Sequence, residues 1–131
     1  MNIFELIKSD IPINNGIIQQ FVKTSNNLPE MVKKLLSAEA NFYDTTMMYR
    51  LLGTEEILES KKNLGVDFLS KSILPLFDLQ SNDFICYDIQ KNGYFILNIV
   101  DEIDLIDVTD FFEYHISLEE LVKKWEGEYE D

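Results

Sequence analysis

Residues 73–100 read ILPLFDLQSNDFICYDIQKNGYFILNIV, and the fold turns on how this run divides. FICYDI and YFILNIV are β-branched and aromatic runs separated by QKNG. An Asn-Gly pair between two such runs supplies the positive-φ positions that a tight hairpin needs. Upstream, ILPLF is a third apolar run, set off from the hairpin by the polar segment DLQSND. The stretch therefore predicts a meander of strand, loop, strand, turn and strand. Pro75 cannot donate to a ladder, so its strand is expected to begin there or lie at an edge.

Working outward, the flanking sequence reads mainly as helices. NIFELI near the N-terminus is a short helical run, and Ile17, Ile18, Phe21 and Val22 recur at helical spacing after Pro12 and the turn-like Asn15-Gly16. In NNLPEMVKKLL, Asn26 or Asn27 can cap, and Pro29 suits a first turn because its missing N–H would have no partner there. Met31, Val32, Leu35 and Leu36 then form a stripe. FYDTTMMYRLL mixes aromatic and β-branched residues and reads as a strand or irregular segment ending at Gly53. Thr54 is placed to cap EEILESKKNLG, with Glu55 and Glu56 in the first turn, Lys61 and Lys62 later, and Gly65 as the stop.

After the meander, DEIDLIDVTDFFEYHI interleaves acids with apolar residues, so part of it predicts a further strand with one apolar side. Ser117 and Glu120 form an S-x-x-E capping box, Ile116 and Leu121 a hydrophobic staple, and Leu118, Leu121, Val122 and Trp125 share one face of a final helix. The tail EGEYED is expected to fray. No repeat or linker divides residues 1–131, so the order predicts one domain of α+β class, a mainly antiparallel sheet with helices packed against it.

Composition narrows the function. The chain is 46% hydrophobic and 12% aromatic, as in a globular protein able to support its own core. No apolar run is long enough to cross a bilayer and the N-terminus has no secretory pattern, so a cytoplasmic location is expected. Net charge is −13, and it is unevenly placed. Residues 1–72 carry nine acidic and eight basic side chains, whereas residues 73–131 carry fifteen and three, a net of −12. Such a field repels nucleic acid and anionic membranes and draws in a basic macromolecule.

Searches for chemistry return little. Cys86 is the only cysteine, lies in an apolar run, and reads as a core thiol. His115 is the only histidine and reads as a packing or strand-end residue before the last helix. Asp78, Asp83 and Asp88 recur every five residues, yet lack the alternating ligands and glycine of a calcium loop. Turn chemistry accounts for Asp78 and Asp83, so neither a metal nor a cofactor is expected. The acids Asp101, Glu102, Asp104, Asp107, Asp110 and Glu113 read either as a solvated face or as a surface for Lys and Arg of a partner, with Phe111, Phe112 and Tyr114 as apolar anchors.

Leu28-Pro29 opening a helix, then Leu74-Pro75 in ILPLF, a polar loop, Tyr87-Asp88 in FICYDI, a short turn, a further strand and the closing SLEELVKKW helix give a recognisable order. Across residues 13–125 it resembles the SUKH superfamily, which takes in yeast cell-wall assembly regulators and many bacterial immunity proteins. The resemblance implies an intracellular, non-enzymatic binding protein. Bacterial members neutralise cognate toxins, often nucleases, and an acidic surface suits that task because a nuclease must bring cations to phosphate. It also implies that Leu74, Pro75, Tyr87 and Asp88 build the sheet, that Leu28 and Pro29 are structural residues opening a helix, and that the partner meets the surface the sheet supports. A regulatory adaptor is the alternative, and a small hydrolase using Asp78, Asp83 or His115 is the third.

Overall fold

Asn92, with φ 55, and Gly93 end the tight connection that the Asn-Gly pair predicts. In the computed structural model, which describes residues 2–22, 28–39, 42–80, 82–99 and 117–129, this hairpin joins β3 (Asp83–Asp88) to β4 (Gly93–Asn98). Their register runs from Asp83 opposite Asn98 to Asp88 opposite Gly93 without a slip. The Asp88 carboxylate accepts the Lys91 amide at 2.9 Å, which fixes the turn. The loop before β3 contains no glycine, and Gln80 (φ 76) and Asn82 (φ 68) adopt the left-handed conformation instead. The Asp78 carboxylate holds that loop by accepting the Gln80 amide at 2.8 Å.

β2 (Ile73–Asp78) is antiparallel to β3, and on its other side to β1 (Arg50–Leu51), giving a sheet in the order β1-β2-β3-β4. β2 is therefore an inner strand, and the expectation that Pro75 marks a start or an edge is corrected. Register shifts between Pro75 and Phe77, where Pro75 faces Cys86 and Phe77 faces Ile85. That bulge is where a residue without an N–H can sit inside a sheet. On the other side, the Leu52 amide donates to the Leu76 carbonyl at 2.9 Å.

All six residues of β3 are buried, so the central strand is covered on both faces, in keeping with its nearly continuous apolar sequence. Around the sheet lie α1 (Ile3–Lys8), α2 (Asn15–Ile18), α3 (Glu30–Ser37), α4 (Thr54–Leu58), α5 (Ser60–Leu64) and α6 (Leu118–Tyr129). α4 packs against β2 and α6 against β4, whereas α2 and α3 pack on each other. The fold is thus α+β with an antiparallel sheet. Val32, Leu35, Leu36, Leu121 and Val122 bring the predicted helix stripes into one core with Leu74, Phe77 and Ile85. Each such side chain stabilises the fold by roughly 1.5–3 kcal/mol.

Three helix boundaries differ from the sequence reading. Pro29 is the N-cap of α3, one residue ahead of its first turn. Gly53, not Thr54, caps α4, and the Glu56 carboxylate reaches back to the Gly53 amide at 3.1 Å. The predicted single helix over 54–65 breaks at Glu59 (φ −101, ψ 19), which separates α4 from α5. Gly65 ends α5 in the left-handed conformation (φ 77), as expected. Ser117 Oγ accepts the Glu120 amide at 3.2 Å, so the predicted cap of α6 is present. The expected strand within 101–116 and the Ile116 staple lie outside the described residues.

Candidate functional site

Asp101, Glu102, Asp104, Asp107, Asp110 and Glu113, with Phe111, Phe112, Tyr114 and His115, also lie outside the described residues. The six motif residues all fall within them. Leu28, Leu74, Pro75, Tyr87 and Asp88 are buried, and Pro29 is half-buried. Tyr87 meets Tyr94 across the hairpin edge to face, with ring centroids 5.1 Å apart. Its hydroxyl is 3.3 Å from Asn92 Oδ1. Leu74 and Pro75 thus lie in β2, Tyr87 and Asp88 in β3, and Leu28 and Pro29 at the start of α3.

The three regularly spaced aspartates separate. Asp83 and Asp88 stand at opposite ends of β3, five residues and about 17 Å apart along an extended strand. Asp78 bonds the Gln80 amide, Asp88 the Lys91 amide, and Asp83 accepts Asn98 Nδ2 at 2.8 Å. The Asp83 carboxylate thus bonds across the hairpin to β4, beyond the turn chemistry expected for it. Among the described residues, no three His, Cys, Asp or Glu side chains gather where they could hold a metal ion. Burial pushes the Cys86 thiol well above its ordinary range, which keeps it protonated at neutral pH.

The most constructed surface feature lies in residues 42–52, where the sequence predicts a strand or irregular segment. Tyr43 bridges Arg50 in antiparallel fashion, so residues 42–51 form a hairpin that carries β1 at the sheet edge. At its tip the buried Asp44 accepts the amides of Thr46 at 2.9 Å and Met47 at 3.0 Å through one carboxylate oxygen. The Asp44 carbonyl accepts the Met48 amide at 2.7 Å, and the Asp44 amide donates to the Tyr49 carbonyl at 2.9 Å. Gln80 Nε2 donates to the Met48 carbonyl at 3.0 Å and ties the tip to the β2–β3 loop. Asp followed by two threonines was the available signal, because a short carboxylate that bonds amides two and three residues on is a turn-builder.

Carboxylates surround this hairpin. Arg50 Nη1 lies 2.8 Å from both oxygens of Glu56, and Arg50 Nη2 lies 3.7 Å from Asp78 Oδ2. The only cation in the segment 42–52 is therefore matched by two acids. The Tyr49 hydroxyl reaches Glu126 Oε1 of α6 at 3.5 Å. Beside α4, an open depression of about 710 Å³ is lined by Glu39, Glu55, Glu56 and Glu59, together with Thr54 and Leu58. The arrangement can attract and pair cationic groups, and within the depression the Thr54 hydroxyl donates to Glu39 Oε1 at 3.4 Å. Compared with protein-family models, with curated proteins and with solved structures, the chain matches none.

Proposed function

We propose that the chain is a non-enzymatic immunity protein that binds a basic, nuclease-type toxin in the cytoplasm and neutralises it by covering its cationic surface. The observation that carries this reading is the placement of charge: residues 73–131 hold a net charge of −12, while residues 1–72 are nearly balanced. Self-repulsion among so many carboxylates opposes the compact state, and a basic partner relieves it. The same field accelerates encounter and makes it sensitive to salt. The SUKH-like order of Leu-Pro, Tyr-Asp and the closing helix supplies the toxin as the kind of partner.

On this reading Asp101, Glu102, Asp104, Asp107, Asp110 and Glu113 meet lysines and arginines of the toxin. The reading predicts a toxin domain encoded beside the gene, and replacing Asp101, Asp104 and Asp107 together by Lys then removes protection from cells that express it. Full protection by the triple variant would show that these acids are not the binding surface.

A further inference from the structure

The apolar side of an interface needs anchors as well as charge, and the hairpin at residues 43–48 has them. Five large hydrophobic residues are exposed among the described residues, and three of them are Tyr43 (46%), Met47 (38%) and Met48 (50%). Aromatic residues and methionine are the types enriched at the centres of protein interfaces, where methionine adapts its shape to the surface it meets. Single exposed apolar residues need no explanation, but three on one six-residue turn make a patch.

The turn is also built to hold them outward. Asp44 spends its carboxylate on two amides of the tip, and Gln80 braces Met48 from a neighbouring loop. Met48 itself is held at φ 62, a conformation that costs a side-chain-bearing residue free energy and that glycine would adopt freely. The chain keeps a methionine there. A rigid turn loses little freedom on binding, which is how preorganised surfaces gain affinity.

We infer that the hairpin tip of Tyr43, Met47 and Met48 is the apolar anchor of the protein's partner surface, inserting into an apolar recess on a basic protein. Charge complementarity fixes the kind of partner. Glu56, Asp78 and Glu126 stand against this hairpin and outnumber its one cation, Arg50, which Glu56 and Asp78 hold. An apolar patch set among carboxylates fits a recess rimmed by Lys and Arg.

This inference rests on the immunity reading, and the test separates the two. The probe is an inactivated form of the toxin domain encoded beside the gene, and its dissociation constant is measured for the intact chain, for Met48→Gly, and for Met47→Ser combined with Met48→Gly. Ile13→Ser, which removes an exposed apolar residue elsewhere, is the control. The expected result is binding by the intact chain, a loss of roughly tenfold for Met48→Gly and up to a hundredfold for the double variant, and no change for Ile13→Ser. Met48→Gly should melt no lower than the intact chain because glycine relieves the positive φ, so weaker binding cannot be put down to unfolding. Affinity within twofold for both methionine variants, with the intact chain binding tightly, overturns the anchor alone. Failure of the intact chain to bind overturns the immunity reading and the anchor with it. A homodimer that the same substitutions dissociate would assign the patch to a second copy of the chain and also overturn the proposal.

Discussion

Replacing Asp44 by Ala tests whether the hairpin tip is held by its carboxylate. The side chain is buried and accepts two amides at 2.9 and 3.0 Å. Hydrogen bonds to an ionised group are each worth about 1.5–3 kcal/mol net. Thr46 and Met47 are exposed, so water can take up part of what their amides lose. The two losses together should then come to about 2–3 kcal/mol. Unfolding entropy near 2.1 cal/mol/K per residue gives about 0.28 kcal/mol/K for a chain of this length, so Tm should fall by about 7–11 °C. Asp44→Asn keeps an oxygen for both amides and loses only the charge, so it should cost about 1 kcal/mol. Urea and thermal unfolding of the three proteins give the comparison. An Ala variant within about 0.5 kcal/mol of the parent, or an Asn variant as costly as Ala, would refute the clamp.

Three further outcomes follow from the same structure. Phe77 is fully buried and meets Phe42 edge to face at 6.1 Å, so Phe77→Ala should lower the urea-derived stability by about 3–5 kcal/mol; under 2 would mean the site collapses around the gap. Gly65→Ala meets no atom within 4 Å and so costs only the backbone strain of φ 77, about 1–2 kcal/mol, and Gly65→Asn should recover part of it. Burial, and then the neighbouring Tyr87, holds the Tyr94 hydroxyl well above its ordinary 10.0, and burial raises Cys86 above its ordinary 9.0. The folded chain thus keeps protons that the unfolded chain releases, so stability is level at neutral pH and falls as pH rises past about 9. Denaturant midpoints at pH 7, 9 and 10.5 read this directly, and Tyr94→Phe should flatten the decline at its upper end.

The meander was legible because its signals are local. Asn-Gly at 92–93 fixes the hairpin, and period, polarity and capping at Ser117 and Gly65 fix helix ends whatever surrounds them. The inner position of β2 was not legible. Pro75 cannot donate to a ladder, but only the tertiary arrangement shows that it pairs opposite Cys86 just before a bulge and that two residues, Arg50 and Leu51, form a further strand beyond. A two-residue strand has no periodicity to detect. The break at Glu59 was hidden for the opposite reason, since EEILESKKNL is a good helical sequence throughout and no local signal marks the residue whose φ −101 and ψ 19 separate the two helices. The hairpin tip was missed because Asp44, Thr45 and Thr46 were weighed by strand preference, while the carboxylate's bonds to the following amides decide the local shape.

The central claim is neutralisation of a basic toxin through charge. Its most direct test is co-expression of the chain with the toxin domain encoded beside its gene, scoring survival and co-purification at 50 and at about 500 mM salt, between which screening of surface charges becomes severe. Survival, with a complex that is retained at low salt and weakened at high salt, is the expected result. Death of the cells with no complex at either salt would contradict the account and leave the acidity of residues 73–131 as solvation alone.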